Sequence, residues 1–329
     1  MTLNTEKLHQ LVSELPELEF SEATDCAWQQ NDTAQAYLNF YHINFAQEFS
    51  EVSHGFGRIE AAGFQIATHY WLPKNAAGTL MIVHGYYDHV GIFSHVIRFA
   101  LARNLAVLAF DLPGHGLSSG EPAVIDSFNQ YGDVFAEVVQ QSKTFLPQPL
   151  FALGQSTGCA VILNYLWRYA ESKNAVDVFD KIALCSPLVL ARGWRGIYMG
   201  RFVYALVRLF VKVLSRGPSR SSHDQEFNKF IMQDDLLQAK YLSLRWVGAM
   251  KGWNHMFCRF APLQKKLLVV QGTGDMTVDW QYNLPLIQRK LPNAKISMIA
   301  DAGHQLVNES EHYRAQLFAA LDQYFQTSL

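Results

Sequence analysis

Apolar residues recur along this chain in two distinct rhythms, and their alternation predicts strands exchanging with helices. From about residue 52 onward, short continuous apolar runs appear at Gly63–Trp71, Thr79–Val83, Leu105–Phe110 and Leu150–Leu153. The series continues at Ile182–Cys185, Leu267–Gln271 and Ile296–Ile299. Runs this short and continuous suit strands buried on both faces of a parallel sheet. Between them, Phe93–Arg103, Phe128–Phe145, Ser156–Glu171, Asn283–Leu291 and Glu309–Phe325 carry helical periodicity. The alternation predicts an α/β fold, with a mostly parallel central sheet and helices on both faces.

Two stretches depart from this rhythm. Residues 1–50 are polar with helical patches. Leu8, Leu11, Val12 and Leu15 fall at helical spacing, and Tyr37, Phe40, Tyr41, Phe45 and Phe49 suggest a second, aromatic-rich helix. Residues 190–262 have helical texture and no clear strand. A connection that long within a compact domain needs structure of its own, so it reads as an inserted helical cap. The expected organisation is an N-terminal helical extension (1–50), a first core part (51–189), the cap (190–262) and a second core part (263–329).

Composition narrows the picture only modestly. The 329 residues are 49% hydrophobic and 17% charged, with a formal net charge of -2. That balance fits a soluble globular protein and carries no global bias toward nucleic acid or membrane. Cys26, Cys159, Cys185 and Cys258 are widely spaced, without a CxxC pair, and read as reduced thiols rather than a disulfide frame or zinc site. The N-terminus reads as no signal peptide, and no run approaches the ~18 apolar residues of a spanning helix. A cytoplasmic location is the resulting expectation.

The chemistry concentrates at Gly154-Gln155-Ser156-Thr157-Gly158, a G-x-S-x-G between an apolar strand and a helical pattern. In that setting a strained turn exposes the serine hydroxyl at the positive end of a helix. A serine hydroxyl needs a base to become nucleophilic. His304, in Asp301-Ala302-Gly303-His304 after the last strand, stands where such a base would arrive. A carboxylate should orient that imidazole. Asp275 is preferred, Asp279 reads as a helix cap and Asp301 as a turn residue. An oxyanion needs donors: the backbone N–H of Thr157, and that of Tyr86 in the loop His84-Gly85-Tyr86-Tyr87-Asp88-His89. His84 reads as a structural hydrogen-bonding residue, Asp111 and His115 as parts of a buttressing turn. No metal-ligand spacing accompanies these histidines, so no metal or cofactor is expected.

Together these motifs resemble the α/β-hydrolase superfamily, and within it the monoacylglycerol lipase and lysophospholipase branch. The resemblance rests on H-G-x-x-D-H-x-G-x-F at 84–93, D-x-P-G-H-G-x-S-x-G at 111–120 and G-x-S-x-G at 154–158. G-T-G-D-x-x-V-D at 272–279 and A-G-H-x-x-x-x-E at 302–309 complete it, so that it spans roughly residues 60–325. It implies the α/β-hydrolase fold, a catalytic acid at Asp275, oxyanion donors at Tyr86 and Thr157, and a lipid ester substrate. Two departures stand out: the branch usually has histidine before the nucleophile and methionine after it, where this chain has Gln155 and Thr157. They predict a more polar pocket wall beside the serine.

The cap has its own charge signature. Residues 190–262 hold 12 basic and 4 acidic residues, a net of +8 in a chain of net -2. Phe202–Leu214 reads as an apolar helix with a narrow cationic stripe at Arg208 and Lys212. Three readings stand side by side: a helix on an anionic membrane surface, a lid over an acyl-chain pocket, and a core helix with one solvated edge. Nucleic acid is disfavoured, because the basic residues sit in long apolar runs rather than a solvated groove. The reading as a whole is a serine hydrolase of carboxylic esters, with peripheral contact at the inner membrane surface through the cap. An acyltransferase, an aminopeptidase on the same triad and a non-catalytic binding protein are the rivals.

Overall fold

The computed structural model describes residues 3–20, 31–170, 178–194, 212–215 and 221–326. An eight-stranded sheet runs through it: β1 (Val52–Ala61), β2 (Phe64–Pro73), β3 (Thr79–Val83), β4 (Ala106–Phe110), β5 (Leu150–Gln155), β6 (Lys181–Cys185), β9 (Leu267–Gly272) and β10 (Ala294–Ile299). The spatial order is β1-β2-β4-β3-β5-β6-β9-β10. β1 and β2 pair antiparallel, as do β2 and β4, and every other pair is parallel. The mostly parallel sheet expected from the apolar runs is thus present, with an antiparallel hairpin at one edge.

β1 has no counterpart in the hydrophobic pattern. Gly55 and Gly57 interrupt its alternation, and both positions need glycine: a Cβ at Gly55 would stand 2.0 Å from the Tyr70 ring, and one at Gly57 2.7 Å from the Pro16 carbonyl oxygen.

Helices cover both faces. On one side lie α1 (Thr5–Glu14), α2 (Asp32–Phe40), α3 (Ser94–Leu101) and α9 (Glu311–Gln326), with Leu11, Tyr37, Val96 and Leu317 buried against Trp71 and Val107 of the sheet. On the other lie α4 (Phe128–Ser142), α5 (Thr157–Tyr165), α7 (Leu244–Arg259) and α8 (Trp280–Lys290), packing Phe135, Ile162, Trp253 and Ile287 against Met81 and Val269. The N-terminal helices therefore share a core with the sheet. Val12, at helical spacing with its neighbours, faces solvent at 43% exposure. The aromatic helix is shorter than its pattern suggests: α2 stops at Phe40, and His42 takes a left-handed backbone at φ 55°.

Within 190–262 the structure corrects one reading. Val213–Ser215 (β7) pairs antiparallel with Tyr241–Ser243 (β8), so Val213 and Leu214 end no helix. Strands of three residues are too short for a period of two to stand out. The rest of the predicted cationic helix, Arg208 included, lies outside the described residues, and Lys212 is exposed. The other described elements of this stretch are the short helix α6 (Gln225–Lys229), its wide-turn continuation Phe230–Asp234, and α7.

Candidate active site

Five loops leave the carboxyl ends of β3, β4, β5, β9 and β10 along one edge of the sheet, the edge at which open α/β sheets place their sites. Ser156 follows β5 directly, with φ 55° and ψ -111°, a backbone conformation unfavourable for a residue with a side chain. The flanking glycines make this turn possible. A Cβ at Gly158 would lie 1.9 Å from the Val83 carbonyl oxygen, and one at Gly154 2.6 Å from the Cys159 nitrogen. With neither present, helix α5 begins in close contact with the end of β3, and Ser156 stands at its N-cap.

His304 reaches this serine from across the sheet. The Ser156 hydroxyl donates to His304 Nε2 at 2.9 Å, and the Nδ1–H of His304 donates to Asp275 Oδ2 at 2.8 Å. That arrangement fixes the imidazole tautomer, because a carboxylate facing Nδ1 can only accept. Asp275 is held in turn by the backbone N–H groups of Thr277 (2.8 Å) and Val278 (3.1 Å) and by the Gln271 amide (3.0 Å). Asp279 instead caps α8, accepting the Tyr282 N–H, and Asp301 is an exposed turn residue at φ 61°.

Burial alone would favour the neutral form of both partners. For His304, burial lowers the pKa, but the Asp275 charge and hydrogen bond, with a smaller contribution from Asp88, carry it above the ordinary imidazole value. For Asp275, burial raises the pKa, but the imidazole and the donors around the carboxylate bring it below the ordinary range. Asp275 is ionised at neutral pH, and the imidazolium is favoured once a proton arrives.

The loop after β3 passes against the serine. A Cβ at Gly85 would approach Ser156 Cβ to 3.3 Å and Asp88 Oδ2 to 2.6 Å, so glycine lets the backbone leading into Tyr86 pass close to Ser156. The Thr157 N–H opens helix α5, where the first turn has no intrahelical acceptors. His84 ties this loop to its neighbour. Its Nε2 accepts the Leu112 N–H at 2.8 Å, which leaves Nδ1 to donate to the Gly85 carbonyl at 2.7 Å. Burial holds it neutral, well below the ordinary pKa. Asp111 accepts the N–H groups of Val90 and Leu117, both at 2.8 Å, as expected of a buttressing turn.

Three residues support the site in ways the sequence reading did not assign. Gln155, fully buried, donates from Nε2 to the His304 carbonyl at 2.8 Å. Its amide N–H is therefore engaged with the loop that carries His304, at a position where the sequence led us to expect a polar pocket wall. Asp88 accepts the Gly85 N–H (3.1 Å) and the Gln305 amide (2.7 Å), joining the two loops on either side of the serine. Glu309, fully buried, accepts the Gly303 N–H at 2.6 Å and both the backbone and the ring of His223 at 2.9 and 2.8 Å. Asp88 and Glu309 stand inside the motifs at 84–93 and 302–309, and that placement was the only signal in the sequence that could have marked them. Among the described residues no cluster of three or more His, Cys, Asp or Glu could hold a metal ion.

Against known proteins, a family model described as "Serine aminopeptidase, S33" matches residues 74–311. The chain is 30% identical to the human monoglyceride lipase over 166 residues, half of this chain and 53% of that protein. The match therefore spans about half the length of the human relative. Another relative, the monoacylglycerol lipase of Mycolicibacterium smegmatis, is 25% identical over 78% of this chain and 91% of its own length. Among solved structures, a Saccharomyces cerevisiae monoglyceride lipase variant superposes with a TM-score of 0.68 at 18% identity, covering 83% of this chain and 95% of that one. The Paleococcus ferrophilus monoacylglycerol lipase superposes with a TM-score of 0.65 at 19% identity, covering 79% and 97%. At these identities the structural likeness speaks for the α/β-hydrolase fold.

Proposed function

We propose, for a chain that belongs to the S33 serine aminopeptidase family of α/β hydrolases, that it hydrolyses carboxylic esters of single-chain lipids through an acyl-enzyme on Ser156. The observation that carries this reading is the continuous relay from the Ser156 hydroxyl through His304 to Asp275, at 2.9 and 2.8 Å. Monoacylglycerols are the first substrate class to consider, because a relative aligned over 91% of its length is named a monoacylglycerol lipase.

In this mechanism His304 Nε2 takes the hydroxyl proton as Ser156 Oγ attacks the ester carbonyl. The N–H groups of Tyr86 and Thr157 stabilise the oxyanion. The imidazolium then protonates the departing alcohol. A water gives its proton to the same nitrogen and attacks the acyl-serine, releasing the fatty acid and restoring the hydroxyl. Asp275 remains a carboxylate throughout and stabilises the imidazolium.

The basic cap sequence favours an ester over a peptide with a free amino terminus, which would need an acidic recognition site. Peripheral contact with an anionic membrane is part of the reading. It is supported by the net +8 of residues 190–262 and by the exposure of Val213, Leu214, Met232, Leu236 and Tyr241 in the same stretch. The test is release of fatty acid from a long-chain monoacylglycerol together with fluorophosphonate labelling. Wild type should do both and Ser156→Ala neither. Turnover in Ser156→Ala above a tenth of wild type overturns the reading.

A further inference from the structure

The side chain of Tyr86 takes no part in the relay, yet the cap grips it from two directions. Its ring stacks on Trp246 of α7, with centroids 3.8 Å apart and planes 17° from parallel. Its hydroxyl donates to the Ala123 carbonyl at 2.8 Å and accepts the Ser243 N–H at 3.4 Å. Ser243 is the N-cap of α7, and its Oγ accepts the Trp246 N–H. Trp246 is 6% exposed and packs against Phe128 of α4, so it forms a firm platform. Arg245 closes the arrangement from outside, pairing with Asp126 at 2.7 Å and Glu121 at 2.5 Å on the loop that carries Ala123.

The backbone N–H of this same residue is the donor read above for the oxyanion. A tyrosine ring is joined to its backbone by two torsions. A ring fixed by its face and its hydroxyl therefore restricts where its peptide plane can lie. Oxyanion stabilisation depends on donors preset within hydrogen-bond distance of the developing charge, and small misplacements of such groups are costly. The start of α7 thus bears on an atom that the transition state would use.

We propose that Trp246, with Ser243, is a positioning residue for the oxyanion hole: the cap helix holds the Tyr86 N–H in place through the Tyr86 side chain. The seating of the start of α7 against Tyr86 then bears on the rate of the chemical step. This deepens the ester-hydrolase reading and rests on it.

The test compares a short-chain p-nitrophenyl ester with its thionoester, in which sulfur replaces the carbonyl oxygen and accepts hydrogen bonds more weakly. The ratio of the two rates reports the strength of the oxyanion hole. Trp246→Ala should lower kcat on the oxygen ester at least about tenfold, short of the roughly 10²- to 10³-fold loss of a donor outright. KM should change less than about twofold, and the ester-to-thionoester ratio should fall toward one. Trp246→Phe, which keeps a stacking face, should recover most of both. Tyr86→Phe, which loses both hydroxyl contacts, should fall between them. If Trp246→Ala loses its cooperative melting transition, Trp246→Phe and Tyr86→Phe carry the same readout. A kcat loss with an unchanged ratio assigns Trp246 a structural role and overturns the proposal, as do kcat and ratio within twofold of wild type in the folded variants. Absence of ester turnover in wild type, or its persistence in Ser156→Ala, is instead a failure of the ester-hydrolase reading itself.

Discussion

The Gln155 amide donates a 2.8 Å hydrogen bond to the backbone carbonyl of His304, so the residue before the serine holds the loop of the residue that would deprotonate it. The two positions are 149 apart in sequence, and the bond is fully buried. It couples the end of β5 to the turn after β10, so that serine and imidazole are fixed with respect to each other.

Gln155→Leu keeps the volume of this side chain and removes its donor. It leaves the buried His304 carbonyl with the Leu306 N–H as its remaining donor, and loss of one such hydrogen bond costs about 0.5–1.5 kcal/mol. A folded protein with a modestly lowered Tm is expected, and kcat on a soluble ester should fall about tenfold as the imidazole loosens. Urea unfolding and steady-state kinetics check the two parts separately. Unchanged kcat in the folded variant would remove the bond from the site's support.

The pH profile follows from the electrostatics of His304. The mechanism needs a neutral imidazole, and Asp275 carries the His304 pKa above the ordinary 6.5 against the opposing effect of burial. The kcat/KM profile should therefore rise with pH through a midpoint above 6.5. Asp275→Asn removes the charge that favours the imidazolium, so the midpoint should move to lower pH while kcat drops by roughly 10⁴-fold from the lost tautomer control. A limb that stays in place in Asp275→Asn, followed with a chromogenic ester from pH ~5 to ~9, would detach the titration from this pair.

Much of this architecture was legible in the sequence, for reasons that differ between its parts. The inner strands are continuous apolar runs because helices cover both their faces, and such runs survive without any partner information. Ser156 was marked by its two flanking glycines in a G-x-S-x-G pattern between a strand and a helix, although the clash that Gly158 avoids with Val83 exists only in the folded chain. Gln155, Asp88 and Glu309 were not legible as supports, because their partners (His304, Gly85 with Gln305, and Gly303 with His223) are defined only once separate loops meet. The edge strand β1 was hidden for a related reason: its glycines yield space to Tyr70 and Pro16, contacts that exist only in the folded chain.

Gly158→Ala tests the closeness of the serine turn to β3. The added methyl would sit 1.9 Å from the Val83 carbonyl oxygen and 2.6 Å from its carbon, both backbone atoms of a central strand. Neither can rotate away, so β3 or α5 must shift. Overpacking of this kind costs at least about 1–3 kcal/mol, and the displaced element carries Ser156 or the Tyr86 loop. Reduced Tm together with loss of fluorophosphonate labelling is expected. A variant that melts and labels like wild type would show that the turn and β3 have room for a side chain between them.

A second buried charge pair lies behind the site and ties three separate stretches of chain together. His89 Nε2 stands 3.1 Å from Asp235 Oδ2, both side chains fully buried, and the Tyr41 hydroxyl donates to Asp235 Oδ1 at 2.9 Å. Burial lowers the His89 pKa, but Asp235, and more weakly Asp111 and Asp88, raise it above 6.5 overall. For Asp235, burial acts upward, and His89 with the Leu237 N–H and Tyr41 brings it below 3.8. The linkage signs follow. The His89 contribution is fully present below its unfolded pKa and is lost as pH rises through the higher folded value. The Asp235 contribution is present above its unfolded pKa and is lost as pH falls through the lower folded value. The pair should therefore stabilise the fold most between about pH 4 and 6.5, with a decline on the alkaline side that begins above that window. Asp235→Asn leaves a buried imidazole without its counter-charge, and breaking a buried pair costs about 3–5 kcal/mol. The deficit should be largest near pH 5.5 and shrink as His89 becomes neutral above its folded pKa. Denaturant unfolding of wild type and Asp235→Asn across that range measures it directly. A deficit independent of pH would mean that Asp235 holds this junction by hydrogen bonds alone, with no charge on His89.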